Sequence, residues 1–386
     1  MIPYGRQDIC DEDIQAVIEV LRSDYLTQGP AVAVFEKQLA SYCGCHFGVA
    51  VNSATSALHL ACLALGVGRG DRVWTSPITF VASANAALYC EAEVDFVDID
   101  PRSYNMCAAR LEKKLDGAAR DGTLPKVIIA VHLTGQSCDM AAIRSAANRY
   151  GVKVIEDASH AVGSTYLDAP VGSCRFSDIA VFSFHPVKII TTGEGGMAMT
   201  NDPELAERMR MDRTSGITRD PAQMLAPPHG PWYYEQVRLG FNYRMPDLAA
   251  ALGRSQFNRL DHFLARRREI AATYDAGLDG LPVTIPWQHR DTRSAFHLYV
   301  VRLNRTRAAR DRLTVFERLR AAGIGVNVHY IPVYKHPFYR SLGFPEDYCP
   351  EAEAYYAEAI SLPIFPALTG QEQNSVIDAL AEALGP

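Results

Sequence analysis

Lys188 and Asp157 stand out because each follows a short run of apolar residues, where a polar side chain could do chemistry. The run before Lys188 covers residues 179–184, and a glycine-rich stretch, residues 193–196, comes after it. A lysine withdrawn from water there would have a lowered pKa and could act as a Schiff-base nucleophile. The common alternative is a surface lysine in a loop. Asp157 closes a mostly apolar strand, residues 152–155, and a carboxylate at a buried strand end needs a partner or a function.

Two further features complete a set that one cofactor would explain. Residues 53–55, Ser-Ala-Thr, lie where a predicted strand turns into a helix, so their N–H and hydroxyl groups could hold a phosphate. Pyridoxal phosphate needs a lysine for its aldehyde, an anion for its pyridine nitrogen, an anion hole for its phosphate and commonly an aromatic plane against its ring. The residues that would meet these needs are, in the same order, Lys188, Asp157, Thr55 with Ser183, and Phe80. They predict a pyridoxal phosphate site.

Other motifs suggest competing sites and fit less well. Gly66, Gly68 and Gly70 resemble a dinucleotide-binding loop, but they follow a predicted helix instead of joining a strand to a helix. Asp98 and Asp100 form a DxD motif, which in a metal-dependent nucleotide-sugar glycosyltransferase would hold a divalent ion. A carboxylate pair between a strand and a turn is the simpler interpretation, since DxD is a common tripeptide. We therefore predict no metal site.

Seven short β-like segments alternate with helix-length segments and would position these residues. The segments are residues 47–52, 72–75, 94–99, 126–133, 152–156, 179–184 and 196–200. This alternation predicts an α/β fold with a mainly parallel, doubly wound sheet. Ligands of such sheets bind beyond the carboxyl ends of the strands. The residues that fall there are 53–55, 77–80, 157–160 and 183–188.

Length and a change of pattern predict two unequal domains. A chain of 386 residues is too long for one compact core. In the last third, residues 296–300 and 324–330 alternate between apolar and polar positions, with a helical segment at residues 311–322 between them. We predict a large cofactor-binding domain over residues 1–255 and a small α+β domain over residues 256–386.

Composition excludes several kinds of partner. With 38 basic and 44 acidic residues the formal charge is −6, which is unsuited to nucleic acid polymers and to anionic membrane surfaces. The longest apolar stretch, residues 57–67, is too short to span a bilayer, and the N-terminus lacks the segments of a signal peptide. Nine scattered cysteines without a CxxC pair are typical of a reducing compartment. We predict a cytoplasmic protein.

Eight motifs in a fixed order make the sequence similar to a known family. They are residues 26–30, 53–58, 77–80, 156–161, 183–188, 193–196, 240–245 and 329–332. The sequence resembles the DegT/DnrJ-type aminotransferases, which use pyridoxal phosphate, act on nucleotide-linked ketosugars and have the aspartate-aminotransferase-like fold (PLP fold type I). Ser-Ala-Thr at residues 53–55 and His160 make the pseudaminic acid branch the most similar.

The resemblance implies a role for each matching residue. Lys188 would form the Schiff base, Asp157 would pair with the pyridinium nitrogen, and His160 would lie beside the ring and its phenolic oxygen. Phe80 would stack on the ring. The phosphate would be held by Ala54, Thr55 and Ser183 of one subunit and by Asn242 of the other subunit of a homodimer. The sugar and diphosphate would be bound by Tyr4, Asp24, Tyr25, Leu26, Thr27, His329, Tyr330, Ile331 and Pro332.

The resemblance also implies a reaction. The amino donor would be L-glutamate, and the acceptor would be C4 of UDP-2-acetamido-2,6-dideoxy-β-L-arabino-hex-4-ulose. Another nucleotide-linked 3- or 4-ketosugar is the alternative acceptor. A 3-dehydratase of the same family has histidine at the lysine position, and Lys188 therefore disfavours that activity. A glycosyltransferase based on Asp98 and Asp100, or a regulator that binds the cofactor without turnover, are the more distant alternatives.

Overall fold

A seven-stranded sheet lies at the centre of the molecule, in a computed structural model that describes residues 1–385. The strands are β1 Phe47–Val51, β2 Arg72–Thr75, β3 Glu93–Phe96, β4 Val127–Val131, β5 Lys153–Asp157, β6 Thr165–Tyr166, β7 Ala169–Pro170, β8 Ile179–Ser183, β9 Gly196–Thr200, β10 Ile217–Thr218, β11 Glu235–Gln236, β12 Val283–Thr284, β13 Thr292–Arg293, β14 Tyr299–Leu303 and β15 Ala359–Leu362. The helices are α1 Asp11–Leu21, α2 Pro30–Cys43, α3 Ala54–Ala64, α4 Ala82–Tyr89, α5 Ala108–Asp121, α6 Met140–Asn148, α7 Pro203–Asp212, α8 Asp247–Asn258, α9 Leu260–Gly277, α10 Arg312–Ala321, α11 Pro337–Ser341, α12 Pro350–Glu358 and α13 Gly370–Leu384.

The large sheet has the strand order β1-β9-β8-β5-β4-β2-β3. β9 is antiparallel to β1 and β8, and the other neighbouring pairs are parallel. The predicted α/β fold with a mainly parallel seven-stranded sheet is confirmed, and each strand overlaps one predicted segment. Residues 184–195 join β8 to β9 without a crossover helix, and the chain therefore returns antiparallel.

Helices cover both faces of this sheet, which explains the continuous apolar runs of its central strands. Val127 and Ile129 of β4 pack in one cluster with residues of α3 and α4. The alternate residues Ile128 and Ala130 pack on the other face with residues of α5 and α6. A strand buried on both faces has few polar positions away from its ends, so its functional side chains lie at or just beyond its last residue.

The strand ends that carry the predicted site meet at one edge of the sheet. Gly196, the first residue of β9, pairs with Val51 at the end of β1 and with Ser183 at the end of β8. A Cβ atom at residue 196 would lie 2.5 Å from the backbone nitrogen of Ala54. Glycine is therefore required for the close approach of β9 to the first turn of α3.

The C-terminal region has a small antiparallel sheet, β12-β14-β15, and α10 packs against α13. The helix predicted at residues 311–322 is present as α10. The alternation at residues 324–330 predicts a strand, and this prediction was wrong. Ile324 and Asn327 form only isolated bridges, with Ile2 and Ser361. Alternation there reflects the burial of Ile324 and Val326 in the core beside α10 and α13, not a continuous ladder.

The predicted domain boundary falls within α8, at residues 255 and 256, and stays a prediction. Within residues 1–385, no helix is both long enough and apolar enough to cross a lipid bilayer.

Candidate active site

Lys188 lies in the turn after β8, and its side chain is partly buried. Within residues 1–385, its hydrogen bonds involve only the backbone, whose N–H donates to the carbonyl oxygen of His185 (2.9 Å). Burial lowers the pKa of the Lys188 amine from 10.5 to about 8, against the opposing influence of the Asp157 charge. An amine with no protein partner and a pKa near the physiological range is suited to nucleophilic attack.

Asp157 ends β5 and is 5% exposed. Its Oδ2 accepts a hydrogen bond from the hydroxyl of Ser83 (2.6 Å), and its Oδ1 accepts from the hydroxyl (2.5 Å) and the N–H (3.2 Å) of Ser159. Ser83 also contacts the hydroxyl of Thr79, at 2.7 Å. Three donors on two oxygens stabilise the carboxylate as an anion and hold it in one orientation.

His160 and Tyr330 connect the large sheet to the C-terminal part of the chain. The Nδ1 of His160 accepts a hydrogen bond from the N–H of Thr134 (3.3 Å), and its Nε2 lies 3.2 Å from the hydroxyl of Tyr330. The two rings are inclined by 24°, with centroids 6.1 Å apart. The Tyr330 ring also lies 6.4 Å from the ring of Phe80, which is itself 59% exposed.

Three buried histidines, His160, His297 and His329, lie near enough to Lys188 for its charge to lower their pKa values, and all are neutral near pH 7. Burial and the charge of Lys188 lower the pKa of His329 to about 4. The same two causes hold the pKa values of His160 and His297 well below their ordinary value, with further contributions from neighbouring histidines and, for His297, Arg267. These side chains therefore act as neutral hydrogen-bonding groups. His329 does so with the hydroxyl of Ser361, at 2.8 Å.

The first turn of α3 provides donors for an anion. Ser53 caps the helix, since its side chain accepts a hydrogen bond from the N–H of Ser56 (3.1 Å). The N–H groups of Ala54 and Thr55 belong to the first turn, where a helix has no internal acceptors for them. Ser183 is 6% exposed, and its oxygen accepts from the N–H of His185 (3.4 Å).

These groups match the requirements of pyridoxal phosphate. Lys188 offers an amine for the aldehyde, and Asp157 offers a fixed anion for the pyridine nitrogen. The first turn of α3 and Ser183 lie at the same edge of the sheet, where a phosphate would be bound by N–H and hydroxyl donors. The described residues therefore fit the cofactor.

Other predicted substrate residues lie close to this cluster. The ring of Tyr4 is partly buried and lies 5.3 Å from the ring of His329. Ile331 is 40% exposed, whereas Pro332 is buried beside Val333, whose N–H donates to the carbonyl oxygen of Pro77 (2.9 Å). Burial leaves Pro332 less suited than its neighbours to contact a ligand.

Two predicted segments make no hydrogen bond with this cluster within residues 1–385, although the backbone next to Asn242 pairs with the end of β1. Asp24, Tyr25, Leu26 and Thr27 are exposed. Backbone pairing holds this segment against the start of α8, because the carbonyl oxygen of Leu26 accepts from the N–H of Asp247 (3.0 Å). Asn242 is also exposed, and its backbone pairs with Thr214. Their roles in binding stay predictions.

Sequence reasoning missed Ser83, Ser159, Thr134 and His297. Ser159 was within reach of prediction, because it belongs to a motif at a strand end. Ser83 and Thr134 were not, since their contacts with Asp157 and His160 depend on how separate strands are placed side by side. His297 precedes β14 in a segment whose alternation indicated only a strand.

The two carboxylates of the DxD motif accept hydrogen bonds from backbone N–H groups. Asp98 accepts hydrogen bonds from the N–H groups of Glu351 (3.0 Å) and Ala352 (3.1 Å), at the start of α12. Asp100 accepts from the N–H groups of Arg102 (3.0 Å) and Ser103 (2.9 Å). Both carboxylates therefore stabilise local structure, as the simpler interpretation predicted.

Comparisons with known proteins agree with this site. Residues 7–381 match the DegT/DnrJ/EryC1/StrS aminotransferase family. The chain is 40% identical over 384 residues to the spore coat polysaccharide biosynthesis protein SpsC of Bacillus subtilis, with 99% of this chain and 96% of SpsC covered. It is 37% identical over 385 residues to the UDP-4-amino-4,6-dideoxy-N-acetyl-beta-L-altrosamine transaminase of Campylobacter jejuni strain 81-176, with 100% and 98% covered.

Solved structures are similar over the whole chain. Helicobacter pylori PseC, an aminotransferase involved in the biosynthesis of pseudoaminic acid, has a TM-score of 0.89 at 30% identity, with 99% of each chain covered. The PLP form of Spr1654 from Streptococcus pneumoniae has a TM-score of 0.89 at 29% identity, with 99% of this chain and 98% of that chain covered. The chain therefore belongs to the DegT/DnrJ/EryC1/StrS aminotransferase family and is a pyridoxal-phosphate-dependent sugar aminotransferase.

Proposed function

We propose that the chain transfers an amino group from L-glutamate to C4 of UDP-2-acetamido-2,6-dideoxy-β-L-arabino-hex-4-ulose, in pseudaminic acid biosynthesis. The observation that carries the reaction type is the unpaired amine of Lys188, whose pKa is lowered to about 8 beside the fixed carboxylate of Asp157. The choice of sugar is supported by the similarity to the Campylobacter jejuni transaminase and to PseC.

Lys188 and Asp157 have separate tasks in this proposal. Bound pyridoxal phosphate supplies an aldehyde that condenses with amines and a ring that accepts the charge of a carbanion. Lys188 would hold the cofactor through its amine between turnovers, and its free amine would remove a proton from the Cα of bound glutamate. Asp157 holds a proton on the pyridine nitrogen, because its charge favours the protonated ring.

Further residues bind and orient in this proposal. Ala54, Thr55 and Ser183 hold the phosphate, and Phe80 lies against the cofactor ring. The remaining ligands of the sugar and its diphosphate are Tyr4, Asp24, Tyr25, Leu26, Thr27, His329, Tyr330, Ile331 and Pro332.

The proposal includes a cytoplasmic homodimer in which Asn242 of the partner subunit reaches the phosphate. The exposure of Asn242 in a single chain supports this arrangement, since its side chain is free to contact a second molecule.

A second candidate is amination of another nucleotide-linked 3- or 4-ketosugar. The greater identity to SpsC, 40% against 37%, favours keeping this candidate, because the name of SpsC refers to spore coat polysaccharide and not to the altrosamine sugar of the Campylobacter jejuni transaminase.

Product analysis with a panel of ketosugars decides between the two. The purified enzyme is loaded with pyridoxal phosphate and incubated with L-glutamate and each UDP- and dTDP-linked ketosugar, with Lys188→Ala as the inactive control. We expect the visible absorbance of the enzyme to bleach on addition of glutamate, and NMR of the product to show a new amine at C4 of the UDP-linked L-arabino sugar. Turnover restricted to a different ketosugar would replace the first candidate by the second.

A further inference from the structure

One hydrogen bond determines where His160 carries its proton. The N–H of Thr134 can only donate, so the Nδ1 of His160, 3.3 Å away, must be the bare nitrogen. Burial, together with the charge of Lys188, lowers the pKa of His160 well below its ordinary value and keeps the ring neutral. A neutral imidazole has one proton, which must then be on Nε2. That proton is donated to the hydroxyl oxygen of Tyr330, at 3.2 Å.

The hydroxyl oxygen of Tyr330 consequently accepts a hydrogen bond from His160, and its hydrogen remains available for donation. Within residues 1–385, the hydroxyl of Tyr330 contacts no hydrogen-bonding group other than His160. Burial, with the charge of Asp157, raises the pKa of Tyr330, so the hydroxyl keeps its hydrogen at neutral pH. Since His160 can only donate to it, and no other acceptor within residues 1–385 contacts the hydroxyl, Tyr330 can offer that hydrogen to a bound ligand.

The backbone that holds this arrangement has little freedom. The carbonyl oxygen of Thr134 accepts from the N–H of Leu298 (3.2 Å), which ties the turn after β4 to the segment before β14. In that segment the ring of His297 lies 4.4 Å from the ring of His160. Arg267, which is fully buried, donates to the carbonyl oxygens of Phe296 (3.1 Å) and His297 (3.3 Å). The ring of His160 therefore packs against a neighbour whose backbone is fixed.

We propose that Tyr330 is a hydrogen-bond donor to a negatively charged oxygen of the bound ligand, and that Thr134 and His160 are positioning residues that leave its hydrogen available to that ligand. The inference rests on the proposed function and deepens it. Two oxygens have the required chemistry: the phenolic oxygen of the cofactor and the carbonyl oxygen of the ketosugar, which gains charge as it is attacked. A donor placed in advance stabilises such charge more than water does.

Tyr330→Phe tests the donor, with Tyr150→Phe as the matched control. Tyr150 also loses a hydroxyl, one that bonds the carboxylate of Asp116 (2.5 Å) on the surface. We expect Tyr330→Phe to slow a half-reaction about 100-fold, and Tyr150→Phe to leave both rates unchanged. A loss confined to the ketosugar half-reaction assigns the carbonyl oxygen. A loss in both half-reactions, with a shifted pH titration of the enzyme's visible absorbance, assigns the phenolic oxygen. Rates within threefold of wild type in both half-reactions overturn the proposal.

Two substitutions of His160 test the positioning. In His160→Gln the amide oxygen can accept from the N–H of Thr134 while the amide nitrogen donates to Tyr330, and in His160→Leu neither bond is possible. We expect the glutamine variant to recover most of the rate that the leucine variant loses. Equal rates for the two variants would contradict the positioning role.

NMR of the protein without cofactor provides a readout that is independent of activity. With 15N-labelled histidine, we expect a bare Nδ1 and a protonated Nε2 for His160 at neutral pH, assigned with the His160→Gln variant. A protonated Nδ1 would overturn the inference even if every variant folded poorly. These tests can use any ketosugar that the enzyme aminates, so they can succeed even if the proposed substrate is wrong.

Discussion

Asp157 and Asn242 were predicted to serve the same cofactor, yet they lie in opposite surroundings. Asp157 is 5% exposed and accepts three hydrogen bonds within its own chain. Asn242 is exposed, and its side chain makes no hydrogen bond with any of residues 1–385. One chain therefore completes the hydrogen bonding of Asp157, whereas it leaves the side chain of Asn242 without a partner among residues 1–385.

The open region has the character of a surface that another chain would cover. In the stretch before Asn242, Leu225 is 86% exposed, Trp232 69% and Leu239 82%. Large apolar side chains are costly to leave in water in such number, and they are typical of interaction surfaces. Substitutions of Asp157 and of Asn242 therefore test separately the groups that are buried within one chain and those that a second chain would bury.

Lys188→Ala should have the largest effect, because it removes the only group that we assign to both cofactor attachment and proton transfer. We expect both half-reactions to slow about 10⁵-fold or more, with loss of the visible absorbance. Lys113→Ala, on the exposed face of α5, is the control. Normal turnover of Lys188→Ala would refute both roles that we assign to Lys188.

Asp157→Asn should have the next largest effect. The substitution keeps the shape but removes the charge that holds a proton on the pyridine nitrogen, so we expect kcat to fall about 10³-fold with little change in the thermal unfolding temperature. Stopped-flow absorbance of the glutamate half-reaction measures it. Asp121→Asn, at the exposed end of α5, should be neutral. An unaffected rate would mean that the carboxylate is merely structural.

Asn242→Asp should have a smaller effect, since it acts on binding instead of on the chemical step. A carboxylate next to the phosphate would repel it, and we expect the affinity for the cofactor to fall about 100-fold. Equilibrium titration of the enzyme with pyridoxal phosphate measures the change.

Mixed dimers sharpen this prediction. The assay uses a cofactor concentration that fills wild-type sites but leaves Asn242→Asp sites empty. If Asn242 acts across the interface, dimers formed from Lys188→Ala and Asn242→Asp chains contain one intact site, and co-expression should then restore about a quarter of the wild-type activity. If Asn242 acts within its own chain, no mixed dimer has an intact site. Absence of recovery, with dimers verified by mass, would therefore contradict the predicted homodimer site.

The pH dependence of cofactor capture should show the mildest effect. Only the uncharged amine attacks an aldehyde, and burial lowers the pKa of Lys188 to about 8. For protein without cofactor, we expect the capture rate to rise with pH and to level off above this value. Because the Asp157 charge opposes the shift, Asp157→Asn should move the midpoint lower. A midpoint near that of an exposed lysine, in either protein, would contradict the burial of Lys188.

The large sheet and its functional edge could be predicted because both follow from local patterns. Apolar runs as short as residues 179–184, separated by helix-length segments, favour buried strands, and polar residues then collect at the strand ends. The strand predicted at residues 324–330 failed for a related reason. Alternation reports which side chains are buried, but not whether a neighbouring strand is present to pair with them.

The sequence by itself determined the fold class, the family and the identity of Lys188 and Asp157, because these depend on residue type and order along the chain. Only the tertiary structure decided which groups share a hydrogen bond. Ser83 reaches Asp157 from 74 positions away, and Tyr330 reaches His160 from 170 positions away. Hydrogen bonds require atoms to lie within about 3 Å, and that proximity results from strand order and helix packing, which no local pattern specifies.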